Sequence, residues 1–149
     1  MDKTELYEQL VPQVKALIQN EPDLIANLAN ISSAIHYLFN HHWTGFYLVK
    51  GSELVLAPFQ GPLACTRIGF GKGVCGAAWK EKLTKVIDDV NQFPGHIACS
   101  PYSKSEIVIP LVYNKEVWGV LDIDSTEYAK FDKIDTKYLI GICDLITKP

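Results

Sequence analysis

The sequence predicts an α+β domain in which an antiparallel sheet carries helices on one side. Three observations predict it. Helical periodicity occupies both ends of the chain, two pairs of β-type runs lie between them, and a glycine-punctuated stretch of weak pattern separates the pairs. The length of 149 residues is one domain's worth, and 48% hydrophobic with 21% charged residues is a globular composition. Disorder, collagen and coiled coil are poor readings of it.

Asp2 is placed to cap a first helix, with Glu5 three residues on and Leu6, Leu10, Val14, Leu17 and Ile18 at helical spacing. Pro12 interrupts that run and predicts a kink or a split. Pro22 suits the first turn of a second helix, whose stripe of Leu24, Ile25, Leu28, Ile31, Ile35, Leu38 and Phe39 ends near Asn40. Trp43–Val49 and Glu53–Phe59 are aromatic and β-branched runs joined by Lys50-Gly51-Ser52, the pattern of a hairpin. From Gln60 to Ser105 the pattern weakens, with Gly61, Gly69, Gly71, Gly73, Gly76 and Gly95 and one short helical piece near Val74–Lys82. Segments of this length in a compact domain are usually lids or binding loops. Glu106–Tyr113 and Val117–Asp124, joined at Asn114-Lys115, read as a second hairpin. Asp132 caps a closing helix with Ile134, Tyr138, Ile142, Leu145 and Ile146 on its apolar face. The middle segment is expected to cover the sheet face opposite the helices and to leave a ligand site between loop and sheet.

Fourteen Lys+Arg against 17 Asp+Glu leave a formal charge of −3, small and of the wrong sign for a nucleic-acid surface. No apolar run reaches signal-peptide or transmembrane length. The expectation is a cytoplasmic protein with neither nucleic acid nor membrane as partner.

A reducing compartment disfavours structural disulfides, so the four cysteines point to metal binding, redox chemistry or plain burial. Cys143 lies one helical turn from Leu139 and reads as a small buried hydrophobe. Cys65, Cys75 and Cys99 fall in the irregular stretch. Gaps of ten and twenty-four residues lack the close ligand pairs of structural zinc, and His96 near Cys99 makes at most half a site. No metal and no cofactor is expected. C-x-x-C is absent too, which leaves a nucleophile and a second thiol joined by the fold, ordinary small-molecule binding, or neither of these.

In Leu121-Asp122-Ile123-Asp124 the two acids share one strand face, because side chains alternate with period two. Glu106 opens the neighbouring strand. Taken alone this is a solvated strand end; three acids converging would instead raise at least one carboxyl into the neutral range and attract an ammonium group. Trp43 and Tyr47 likewise share a face and line a pocket or pack the sheet.

Together, WTGFYL from Trp43, FGKGVCG (Phe70–Gly76), HIAC (His96–Cys99), SEIVIPL (Ser105–Leu111) and LDIDS (Leu121–Ser125) resemble the GAF-domain free methionine-(R)-sulfoxide reductases. The resemblance runs from the second helix to the last. It implies one GAF domain over residues 1–149, with about six antiparallel strands, helices on one face and a loop-covered pocket on the other. By the same resemblance Cys99 matches the attacking cysteine, Cys65 the resolving cysteine that bonds to it, and Cys75 an auxiliary thiol. Glu106, Asp122 and Asp124 match the acidic substrate-site residues, with Glu106 and Asp124 the candidates for holding the sulfoxide oxygen. Trp43 and Tyr47 match the aromatic wall. One departure is Ser100, where the family commonly carries an acid directly after the attacking cysteine. The implied substrate is free methionine sulfoxide and the implied reductant thioredoxin; a homodimer is compatible with the pattern. The alternative is a GAF-type sensor that binds a small molecule without turning it over, against which the three matched cysteines weigh.

Overall fold

The computed structural model describes residues 1–97 and 99–149, so Ala98 of the HIAC segment lies outside the described residues. Helix α1 (Lys3–Ile18) begins at Asp2, whose side chain accepts the Glu5 N–H at 2.9 Å. Pro12 does not split it. The bond that proline removes would have used the Glu8 carbonyl, and both residues are exposed, so water can take its place. Helix α2 (Leu24–Phe39) is capped by Asp23 rather than opened by Pro22, and ends on Asn40 in the left-handed region. Strands β1 (Trp43–Lys50) and β2 (Glu53–Gln60) form the first hairpin.

The stretch that reads as irregular contains β3 (Arg67–Gly69), α3 (Gly73–Glu81), β4 (Lys85–Ile87) and a single 3-10 turn at Val90–Gln92. Three-residue strands are too short to show a period, which is why the sequence hides them. Strands β5 (Ser105–Tyr113) and β6 (Glu116–Ser125) form the second hairpin, and α4 (Lys133–Asp144) closes the chain from a capping box of Asp132 and Asp135.

The strands make one antiparallel sheet in the order β3-β2-β1-β6-β5-β4. Pro110 is tolerated inside β5 because β4 pairs only with Glu106 to Val108, leaving position 110 on an open edge. One sheet face carries Phe46, Ile107, Ile109, Leu121 and Ile123 against Tyr7, Leu10, Leu28, Ile31, Leu139 and Ile142 of α1, α2 and α4. Burying each such side chain contributes about 1.5–3 kcal/mol before entropy is charged against it. Asp135, buried in α4, ties this layer together by accepting from Tyr7 Oη and Lys3 Nζ, each at 2.6 Å. Ile25 and Ile134, read as core-facing in the sequence, instead lie on the solvent side. Cys143 is buried among the helices, as its phase predicts.

Side chains one residue out of phase point the other way. Trp43, Tyr47, Val108 and Val120 pack there against Val74, Cys75 and Ala78 of α3 and Ile68 of β3. Three helices therefore cover one face, and the middle segment, with its own helix, covers the other. Among the described residues no helix is long and apolar enough to cross a membrane.

Candidate active site

Strand register assembles the site. Trp43 pairs with Asp124 across β1 and β6, and Asp124 pairs with Glu106 across β6 and β5, giving one row over three strands. In the next row Gly45 faces Asp122, which faces Val108. Alternation puts all three carboxyls on the pocket side, and Glu106 and Asp122 are buried there. The solvated strand end is excluded.

Burial sets the protonation of this cluster. It pushes Glu106 well above the usual carboxylate range, and the neighbouring Asp122 and Asp124 charges push the same way. Asp124 is raised well above its ordinary value by burial and by Asp122. Burial raises Asp122 too, but hydrogen bonds from Glu106 and the Cys75 thiol hold it down. The cluster therefore favours two proton-bearing acids, Glu106 and Asp124, around one carboxylate, Asp122. Among the described residues Asp122 Oδ1 is buried without a hydrogen-bond partner, which leaves it an acceptor for an incoming donor. His96 Nε2 lies 4.0 Å from Glu106 Oε1; burial lowers the His96 pKa and raises that of Glu106, so both shifts act against a charged pair here.

Trp43 and Tyr47 form one wall, their rings 5.9 Å apart, with Trp43 also stacked on Phe59 at 5.1 Å. Each also holds the loop that follows β2. Trp43 Nε1 donates to the Pro62 carbonyl at 3.1 Å and Tyr47 Oη to the Cys65 carbonyl at 2.8 Å. Gly45 lies beneath the indole. A Cβ there would meet Phe59 Cβ at 2.3 Å and the Trp43 ring at 2.7 Å.

Cys65 and Cys99, 34 residues apart, are joined by a disulfide with Cα atoms 5.5 Å apart. Cys65 is half-buried and Cys99 exposed, and Cys99 lines the pocket that the acids floor. Cys75 is a free, buried thiol in the first turn of α3. A helix N-terminus usually lowers a thiol's pKa, but burial and the charges of Asp122, Glu106 and Asp124 push this one up. It rests as a protonated donor to Asp122.

Cys75, Glu106 and Asp122 are also the one group among the described residues with metal-like spacing, their donor atoms lying within 4.8 Å of one another. A cation would have to displace protons that burial and mutual repulsion hold on Cys75 and Glu106. The geometry fits a proton-sharing cluster better.

Three further residues at the site have no periodicity or spacing to mark them in the sequence, Ser100 standing out there only as a departure from the family's acid. His42 Nε2 and Ser100 Oγ share a 3.0 Å hydrogen bond, and Ser103 lines the same pocket. Single hydroxyls and a lone histidine in loops have no spacing to betray them; only their contacts do.

Comparison with known proteins agrees with this geometry. Residues 23–148 match the GAF domain model. The chain is 55% identical to GAF domain-containing protein A of Dictyostelium discoideum over 97% of its length and 92% of that protein's. It is 46% identical to the free methionine-R-sulfoxide reductase of Escherichia coli over 93% of its length and 85% of that enzyme's. The crystal structure of free methionine-R-sulfoxide reductase from Neisseria meningitidis, in complex with its substrate, superimposes with a TM-score of 0.96 at 49% identity. That match covers 98% of this chain and 89% of the other. A paired thiol site and a buried acid row, on a sheet that follows a reductase of this kind from end to end, place the chain in the GAF-domain free methionine-R-sulfoxide reductase family.

Proposed function

We propose that this chain, acting as one domain over residues 1–149, is an oxidoreductase that reduces free methionine-(R)-sulfoxide to methionine. The observation that carries the reading is the Cys65–Cys99 disulfide at the mouth of a pocket floored by Glu106, Asp122 and Asp124. In the reduced protein the Cys99 sulfur attacks the sulfoxide sulfur while a protonated acid, Asp124 or Glu106, donates to the sulfoxide oxygen. Oxygen passes to Cys99, methionine leaves, and Cys99 is a sulfenic acid two electrons more oxidised than the thiol. The Cys65 thiol then attacks that sulfur, water leaves, and the disulfide forms. An external dithiol, thioredoxin in a reducing cytoplasm, supplies the two electrons that reopen it.

The Asp122 carboxylate faces the substrate ammonium, and the Trp43–Tyr47 wall takes the thioether side chain. A peptidyl sulfoxide lacks that ammonium and leaves a buried carboxylate unpaired, which discriminates more strongly than a missing methylene.

The test is methionine released from free methionine sulfoxide in a single turnover without reductant. Cys99→Ser should release none, because a serine hydroxyl stays protonated. Cys65→Ser should release about one equivalent per site and then stall as a trappable sulfenic acid. With thioredoxin, its reductase and NADPH, wild type should consume no more than about half of a racemate, one epimer being its substrate. Release by Cys99→Ser at the wild-type level overturns the assignment, and absence of turnover in wild type returns the chain to the sensor reading.

A further inference from the structure

Reduction of the Cys65–Cys99 bond removes the covalent tie that holds Cys99 beside the pocket, and it is the reduced protein that must present Cys99 to substrate. Among the described residues, the side-chain hydrogen bond nearest Cys99 that joins its loop to the sheet is the 3.0 Å bond between Ser100 Oγ and His42 Nε2. Ser100 is itself fixed within the loop, its Oγ accepting the Tyr102 N–H at 3.3 Å, and the Tyr102 ring meets the His42 ring edge-on at 6.3 Å. His42 is anchored on the other side, where its backbone N–H donates to the Asp124 carbonyl at 3.1 Å. The next residue is Trp43, which pairs with Asp124 across the strands. One half-buried histidine thus connects the thiol loop, the proton-bearing acid and the aromatic wall.

We infer that His42 is a positioning residue: through Ser100 it holds the reduced Cys99 loop against the start of β1, within reach of both substrate and Cys65. This rests on the thiol mechanism proposed above. Its effect should be that of one net hydrogen bond applied to the placement of a reacting atom, about tenfold in rate. Substrate affinity should change little, because the acid row and the aromatic wall are untouched.

The experiment compares His42→Ala, His42→Gln, Ser100→Ala and the His42→Ala/Ser100→Ala pair in the full chain. Three readouts are taken: single-turnover methionine release at saturating substrate, the substrate concentration for half-maximal rate, and the rate at which the reduced protein closes Cys65–Cys99 with hydrogen peroxide. His42→Ala and Ser100→Ala should each slow release and closure about tenfold, with half-saturation within threefold of wild type. The pair should be no slower than either single variant, since both remove one contact. His42→Gln, which keeps a side-chain donor and acceptor, should recover part of the loss. Rates within twofold of wild type in both single variants, or effects that multiply in the pair, overturn the inference. If His42→Ala melts below assay temperature, Ser100→Ala in its surface loop decides alone. Peroxide-driven closure needs no methionine sulfoxide, so a wild type that closes the disulfide without turning over the sulfoxide fails the function and still tests His42.

Discussion

The Tyr47 hydroxyl donates a 2.8 Å hydrogen bond to the Cys65 carbonyl, so a side chain planted on the sheet holds the loop that carries the second thiol. Tyr47→Phe keeps the ring against Trp43 and deletes only that bond. Closure of Cys65–Cys99 should slow by a few-fold to about tenfold, the range of one net hydrogen bond, while the first release of methionine stays within about twofold. Rapid-quench trapping of the sulfenic acid measures the first, and single-turnover methionine release the second. Slower release with unchanged closure would make Tyr47 purely part of the substrate wall.

Asp124 and Glu106 titrate above the usual carboxylate range because they are buried beside Asp122. Asp124→Asn keeps the shape and removes the proton, so a proton-donating role predicts a loss of about 10²–10⁴ in the single-turnover rate at saturation. Asp122→Asn removes the charge offered to the ammonium and should appear mainly as weaker binding. Asp124→Asn within a few-fold of wild type in both rate and affinity would shift the donor role to Glu106.

The same shifts set the direction of the pH profile. Protonated Asp124 and Glu106 are lost as pH rises through their raised pKa values. The release rate in wild type should therefore fall at alkaline pH, and that falling limb should change in Glu106→Gln. A plateau at alkaline pH in wild type would deny an acidic donor.

Gly45 leaves room for the indole that stacks on Phe59, and a Cβ would overlap both. Gly45→Ala should cost about 1–3 kcal/mol of stability, the usual penalty of overpacking, and weaken substrate binding by displacing Trp43. Chemical denaturation and half-saturation measured together check it.

His41 is buried between Phe39 and Phe131, and among the described residues neither ring nitrogen has a hydrogen-bond partner. Burial, helped by His36, Lys130 and Lys3, lowers its pKa to about 3. An unfolded chain takes up the proton near pH 6.5. Its stabilising contribution is therefore complete above about pH 6.5 and is lost progressively as pH falls toward about 3, because there the unfolded state binds more protons. His41→Phe removes this loss, so its melting temperature should gain on wild type steadily from pH 7 to pH 4. Parallel curves would show that His41 does not charge on unfolding in that range.

What the sequence by itself determined is everything that depends on local period. Alternation put Trp43 with Tyr47 and Asp122 with Asp124 on shared faces, helical spacing marked three helices, and Asp2 and Asp132 announced their starts. Those are properties of a few consecutive residues, and the backbone imposes them wherever the chain goes. Composition also bounded the class of protein, and ordered fragments carried a family likeness that pointed to Cys65, Cys99 and the acid row. Only the tertiary structure decided that Asp124 stands between Trp43 and Glu106, because that is a strand register. It alone set Cys75 against Asp122, buried the acids deeply enough to push Glu106 and Asp124 above the usual carboxylate range, and brought His42 to Ser100. Proximity across tens of residues and loss of solvent depend on which faces meet, and no local pattern encodes that. Pro12 shows the same division: proline predicts a break, but whether the helix survives depends on whether the freed carbonyl faces water.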